Sequence, residues 1–192
     1  MTSLLLFPGA GSNRDSPSLV AIEQAATAAI PKLRVVRSDF PYRQAGRGAP
    51  DRPPLLLQTV RDEAKALGRG RLILGGRSMG GRICSMAVGD ADAPLRATGL
   101  VLVSYPLHPP GKPENLRVEH LPRIDVPCLF VHGTKDSFAT PDELTRWTAT
   151  IPGEVEHVWI DGAVHELKRA ETRVATAVTD WLRRLLAPRS RR

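Results

Sequence analysis

A serine stands between two pairs of glycines in the segment Leu72–Cys84, which reads LILGGRSMGGRIC. A short apolar run precedes Ser78, and apolar residues follow it at helical spacing. Gly-x-Ser-x-Gly in a strand–turn–helix context is typical of a nucleophilic serine, held on a turn too tight for bulky neighbours. The alternative left open is a glycine-rich turn of the phosphate-binding kind, in which Ser78 only caps the helix. We favour the nucleophile.

A serine nucleophile needs a base to take its proton and an acid to hold that base in the right tautomer. His165 follows the last predicted strand in a glycine-containing loop, and Asp136 follows the strand before it. Asp161 is the rival acid, but its closeness to His165 better suits a turn. The other histidines lie in predicted strands or in a proline-rich segment: His108, His120, His132 and His157. The sequence predicts a triad of Ser78, His165 and Asp136, with His132 the next candidate base.

Two backbone N–H groups and two loops complete the predicted site. The small-residue loop Pro8–Gly11 and the residue after the nucleophile predict an oxyanion hole from Ala10 and Met79, unless the loop is only a tight turn. Residues 39–54 and 105–126 should wall the pocket, whose modest apolar lining favours small acyl groups over lipids. The candidate substrate-binding residues are Phe40, Tyr42, Arg77, Tyr105, Leu107 and His108. Basic residues in these loops and beside the serine could attract anionic substrates. The alternative is that they are only solvated or form structural ion pairs. These residues are Arg43, Arg47, Arg52, Arg77, Arg82 and Lys112.

Apolar runs alternate with helical patterns along the whole chain. Strands are predicted at residues 3–7, 33–38, 72–74, 98–104, 128–132 and 154–160, and helices at 17–30, 55–67, 141–151 and 167–185. A further helix is predicted to begin directly after Ser78 and to include Ile83, Met86 and Ala87. This alternation predicts an α/β fold with about six mostly parallel strands and helices on both faces. In such sheets functional groups gather beyond the carboxyl ends of the strands, where Ser78, Asp136 and His165 all fall. One domain is expected over 1–187, followed by a basic tail, 188–192.

Composition narrows the function classes. The chain has 192 residues, 42% hydrophobic and 24% charged, as in one soluble globular domain. The net charge is +7, but the basic residues are scattered along the chain, so we expect no nucleic-acid partner. No apolar run is long enough to span a membrane, so we expect no membrane partner either. Cys84 and Cys128 read as buried residues of a reducing compartment, which favours the cytoplasm, and the N-terminus reads as a strand and not as a signal peptide. No metal-ligand spacing is present, so no metal or cofactor is expected. The sequence does not indicate the oligomeric state.

Three motifs together resemble a small α/β-hydrolase family: GGRSMGGR at 75–82, YPLHPPGKP at 105–113 and VHGTKD at 131–136. This family is related to dienelactone hydrolases and to the hydrolase-like domain of a chromatin acetyltransferase-complex subunit. The resemblance implies a lidless core with strand order 2-1-3-4-5-6. Dienelactone hydrolases carry cysteine where this chain has Ser78, and relatives often have an acidic residue where Val164 precedes His165. The prediction is a serine hydrolase that cleaves a small carboxylic ester or thioester through an acyl-enzyme; the alternative is a non-catalytic scaffold on the same fold.

Overall fold

The computed structural model describes residues 1–188, so most of the predicted basic tail, Arg189–Arg192, lies outside the described residues. Within 1–188 the strands are β1 (Thr2–Phe7), β2 (Leu33–Arg37), β3 (Arg71–Arg77), β4 (Gly99–Val103), β5 (Cys128–Gly133) and β6 (Val155–Ile160). The helices of the same range are α1 (Pro17–Ala29), α2 (Pro41–Gln44), α3 (Pro53–Ala66), α4 (Met79–Val88), α5 (Pro141–Thr148) and α6 (Glu171–Leu186).

The six strands form one sheet in the order β2-β1-β3-β4-β5-β6. Every neighbouring pair is parallel. The predicted fold class and strand order are therefore confirmed. Because parallel neighbours need long crossover connections, a helix lies between most successive strands and covers one face or the other.

Each face of the sheet has its own apolar core, which explains why the strands read as unbroken apolar runs. In β1, Leu4 and Leu6 pack with α1 and α6, whereas Leu5 and Phe7 face the side covered by α3, α4 and α5. Successive strand residues point to opposite faces, so a strand covered on both sides needs apolar residues at every position.

The structure refines several predicted helix boundaries. The last helix begins at Glu171 and not at Leu167, because Leu167 and Arg169 adopt φ values of 50° and 63°, which no helix tolerates. The short helix α2 lies in what the sequence indicated as loop. Residues 105–126 are irregular as predicted, apart from one 3₁₀ turn at Leu121–Arg123. None of the helices within 1–188 has the length and apolarity that crossing a membrane requires.

Candidate active site

Ser78 occupies the sharp turn between β3 and α4, with φ 50° and ψ −119°. A non-glycine residue pays for such a backbone with strain of about 1–3 kcal/mol, which persists only where the surroundings enforce it. The glycines on either side of Ser78 show how the surroundings enforce this backbone conformation. A Cβ atom on Gly76 or Gly80 would lie 2.2 Å or 2.3 Å from the carbonyl oxygen of Phe7, too close for any side chain. The turn therefore presses against β1 and holds the Ser78 hydroxyl above the sheet.

The three predicted triad residues meet in one hydrogen-bonded relay. Ser78 Oγ lies 2.8 Å from His165 Nε2, and His165 Nδ1 lies 2.8 Å from Asp136 Oδ2. Asp136 is 2% exposed, and its other oxygen accepts the Phe138 N–H at 2.8 Å. With Nδ1 donating to the carboxylate, Nε2 is free to accept the serine proton. The relay links the ends of β3, β5 and β6.

Two contacts hold the His165 ring and its loop. The Phe138 ring stacks on the imidazole with centroids 4.0 Å apart and 28° between the planes. Arg77 Nη2 donates to the His165 carbonyl oxygen at 3.0 Å. Burial lowers the pKa of Arg77, opposed by the charges of Glu166 and Asp136. Arg77 was predicted to bind substrate; the structure instead shows it tying the serine turn to the loop that carries the base.

His132, the second candidate for the base, forms other contacts. Its Nε2 donates to the Ala139 carbonyl at 2.9 Å and lies 3.4 Å from Asp136 Oδ2. The ring is fully buried, and desolvation lowers its pKa, which favours its neutral form. Within residues 1–188 the hydroxyl of Ser78 hydrogen-bonds no histidine other than His165.

The predicted oxyanion donors lie beside the serine. Ala10 and Met79 line the same cleft as Ser78, and within residues 1–188 neither backbone N–H has a hydrogen-bond acceptor. The Ala10 carbonyl accepts the Tyr42 hydroxyl at 2.9 Å, which fixes the loop after β1. Met79 begins α4, so its N–H also carries the positive end of the helix dipole. The two N–H groups can stabilise negative charge next to Ser78 Oγ.

A cleft of about 330 Å³ opens beside Ser78. Both segments predicted to form its walls contribute: Pro50, Asp51 and Pro53 come from the first, and Pro106 and Arg117 from the second. The lining residues are Ala10, Pro50, Asp51, Pro53, Leu56, Ser78, Met79, Arg82, Pro106, Arg117 and Phe138. Clefts of about 390 and 600 Å³ lie at the amino ends of the strands, the wrong end for this chemistry.

The predicted aromatic lining of the pocket is corrected by the structure. Phe40, Tyr42, Tyr105 and Leu107 are all fully buried in the core on the α3/α4 side of the sheet and do not line the cleft. Phe40, for example, stacks on Phe7 with centroids 4.8 Å apart. Large rings remove more apolar area from water in the core than in an open cleft, which is why they turn inward. His108 is also buried, with Nε2 3.5 Å from a Glu143 oxygen.

Ser85, Tyr105 and His120 form a buried polar triangle next to α4. Ser85 Oγ lies 2.8 Å from His120 Nε2 and 3.0 Å from the Tyr105 oxygen, which is 3.0 Å from the same nitrogen. Burial lowers the pKa of His120 to about 4, reinforced by the charges of Arg82 and Arg123. Burial also raises the pKa of Tyr105 to about 12, so both groups are neutral near pH 7.

Sequence reasoning did not single out Phe138 or Arg117, which both line the cleft. Phe138 stacks on the base, and its only signal in the sequence is that it follows Asp136 by two residues. Arg117 comes from the irregular segment, where nothing in the local pattern marks it out from other basic loop residues. Residues 1–188 contain no group of three or more His, Cys, Asp or Glu side chains placed to hold a metal ion.

Comparisons with known proteins come from a family model and from solved structures. The model described as an alpha/beta hydrolase domain matches residues 1–186. Est1E from Butyrivibrio proteoclasticus, solved with ferulic acid bound, superposes with a TM-score of 0.79 at 15% identity over 98% of this chain and 90% of its own. A monoacylglycerol lipase from Paleococcus ferrophilus gives 0.75 at 16% identity, covering 95% and 94%. An alpha-beta serine hydrolase homologue from Coxiella burnetii gives 0.74 at 17%, covering 95% and 85%. At these identities the likeness establishes the fold.

Proposed function

Because this chain belongs to the alpha/beta hydrolase domain family, we propose that it is a serine hydrolase that cleaves a small carboxylic ester or thioester through an acyl-enzyme. The observation that carries the proposal is the continuous relay from Asp136 through His165 to Ser78, with both hydrogen bonds at 2.8 Å. The strained turn at Ser78 supports it, because such strain is maintained where a side chain must be presented to a ligand.

Acylation begins when Ser78 Oγ attacks the substrate carbonyl carbon and its proton passes to His165 Nε2. Asp136 stabilises the imidazolium through Nδ1 and does not itself take the proton. The oxygen of the tetrahedral intermediate carries the negative charge and accepts hydrogen bonds from the backbone N–H groups of Ala10 and Met79. His165 then gives its proton to the leaving alcohol or thiol, and an acyl-serine remains.

Deacylation repeats these steps with water in place of serine. His165 takes a proton from water, the hydroxide adds to the acyl carbon, and collapse of the second tetrahedral intermediate returns the proton to Ser78 Oγ. The product is a carboxylic acid. Each half-reaction needs a neutral imidazole to begin, because only an unprotonated Nε2 can accept the proton.

The cleft sets the proposed substrate class. A volume of about 330 Å³ is at the lower end of the range for small-molecule sites, which suits a small acyl group. The three motifs at 75–82, 105–113 and 131–136 support the further proposal that the chain is related to the dienelactone hydrolases and to the acetyltransferase-complex subunit. We also propose the cytoplasm as its compartment, supported by the burial of both free cysteines.

A fluorophosphonate probe tests the proposal, because it phosphonylates only an activated serine. We expect it to label the wild type and not Ser78→Ala. Ser137→Ala is the matched control, since Ser137 is exposed and lies between Asp136 and Phe138; it should label like the wild type. Folded wild type that takes no label and hydrolyses no short ester would refute the proposal and favour the non-catalytic scaffold.

A further inference from the structure

Two arginines on the cleft wall have no anionic partner. Arg82 lies one helical turn beyond Ser78, where its backbone N–H donates to the Ser78 carbonyl at 3.1 Å, and Arg117 comes from segment 105–126. Both line the cleft together with Ser78. Across residues 1–188 no carboxylate oxygen lies within 4.0 Å of either guanidinium. Most of the cleft wall is otherwise uncharged.

The Arg82 guanidinium is also poorly hydrogen-bonded. Its Nη1 donates to the Met86 sulphur at 3.2 Å, and thioether sulphur is a weak acceptor. Its Nε–H is shielded from solvent and has no acceptor in the described chain. Leaving a buried donor unsatisfied is unfavourable, and more so for a charged group. Burial and the nearby charge of Arg117 accordingly lower the pKa of Arg82.

The groups around Arg82 do not balance its charge. Tyr105 and His120, which feel its charge, are themselves neutral near pH 7. Asp51 is the acidic residue of the cleft, and its Oδ1 accepts Arg47 Nη2 at 2.6 Å while its buried Oδ2 has no partner. Asp51 thus already has its own counter-charge and lies beyond 4.0 Å from either cleft arginine. The wall formed by Arg82 and Arg117 keeps an uncompensated positive charge next to the serine.

The cleft meets the base at Ser78 and Phe138, the lining residues that contact the His165 side chain. His165 must protonate the leaving group, so the leaving group lies on the His165 side of the reacting carbon. His165 does not line the cleft, whereas Ala10 and Met79, which would hold the oxyanion, do. The space lined by Arg82 and Arg117 therefore suits the acyl part of a substrate.

We propose that Arg82 and Arg117 form a carboxylate-binding subsite, so that the substrate is an ester or thioester whose acyl part carries a second, free carboxylate. The ester or thioester in this inference rests on the proposed function, whereas the binding of a carboxylate by the two arginines does not. Guanidinium groups bind carboxylates through paired, charge-assisted hydrogen bonds, stronger than neutral ones.

Binding without turnover is the first test. On the Ser78→Ala background, calorimetric titration should show monomethyl glutarate binding about 10- to 100-fold more tightly than neutral dimethyl glutarate. Adding Arg82→Met or Arg117→Met should remove most of that preference. Arg52→Gln is the matched control: this exposed arginine lies in the wall segment but does not line the cleft, and its loss should leave the preference unchanged. Arg117→Met, on an irregular segment, tests the subsite even if Arg82→Met fails to fold.

Turnover is the second test. With the 4-nitrophenyl monoester of glutaric acid and 4-nitrophenyl 5-methylhexanoate, which replaces the carboxylate by an isopropyl group, wild type should favour the acid in kcat/KM by about tenfold or more. Arg82→Met should lower this ratio about tenfold.

The outcomes separate the two proposals. Equal binding of the charged and neutral probes, or an equal loss in Arg52→Gln, would overturn the subsite even if both esters are hydrolysed. Arginine-dependent binding without any ester hydrolysis would uphold the subsite and count against the hydrolase.

Discussion

His120 should make the folded protein sensitive to mild acid. Burial within the triangle it forms with Ser85 and Tyr105 lowers its folded-state pKa from 6.5 to about 4. Between these two values the unfolded chain holds a proton that the folded chain does not. The free energy of unfolding therefore falls as pH falls from 6.5 toward 4, and this contribution is fully present only above about pH 6.5.

The size of the effect follows from the shift. A difference of roughly 2.5 pKa units corresponds to about 3 kcal/mol once both states are protonated, and about 2 kcal/mol has been lost at pH 5. For a protein of this length, 2 kcal/mol lowers Tm by about 4–8 °C. His132 and His157 also have lowered pKa values, through desolvation, and add to the same trend. A variant is therefore needed to isolate His120.

His120→Gln provides that variant, because the amide nitrogen takes the place of Nε2 but does not titrate. Urea unfolding at pH 7.5 and pH 5.0 should show that this variant loses about 2 kcal/mol less than wild type between the two conditions. His108→Gln is the control: His108 lies in the same segment but beside Glu143 at 3.5 Å, so its removal should not reduce the acid sensitivity. Equal losses in wild type and His120→Gln would refute the reasoning.

Three further outcomes are expected. His165→Ala and Ser78→Ala should each lower kcat for a short ester about a thousandfold or more, and the double variant should be little worse; steady-state kinetics showing multiplied losses would contradict a shared role. Arg77→Met should lower kcat about tenfold with little change in KM, because the base loop loses its hydrogen bond at 3.0 Å, whereas unchanged kcat would make the contact incidental. Gly80→Ala should lower the free energy of unfolding by about 3 kcal/mol or more, because its Cβ would lie 2.3 Å from the Phe7 carbonyl oxygen. Gly11→Ala is the control: a Cβ there meets no atom within 4 Å, so the free energy of unfolding should change by less than about 0.5 kcal/mol. Equal urea midpoints for the two variants would contradict this.

The sequence alone determined the fold class and the positions of Ser78, Asp136 and His165. Both follow from local features: apolar runs alternating with helical patterns, and polar residues directly after strands. Parallel strands bring their carboxyl ends to one edge, so residues 87 positions apart can be placed together without knowing any side-chain contact. The spacing of the glycines likewise indicates the serine turn, because a turn this tight requires glycine at those positions of the sequence.

Tertiary structure alone decided what faces the cleft. Phe40 and Tyr105 belong to the two segments that wall the site, and only the packing of α3 and α4 shows that their rings turn into the core. The partner of Arg77 is a carbonyl 88 residues away, and the pairing of Arg82 with Arg117 joins a helix to an irregular segment. Irregular segments follow no period, so the direction of their side chains depends on long-range contacts that no local pattern records.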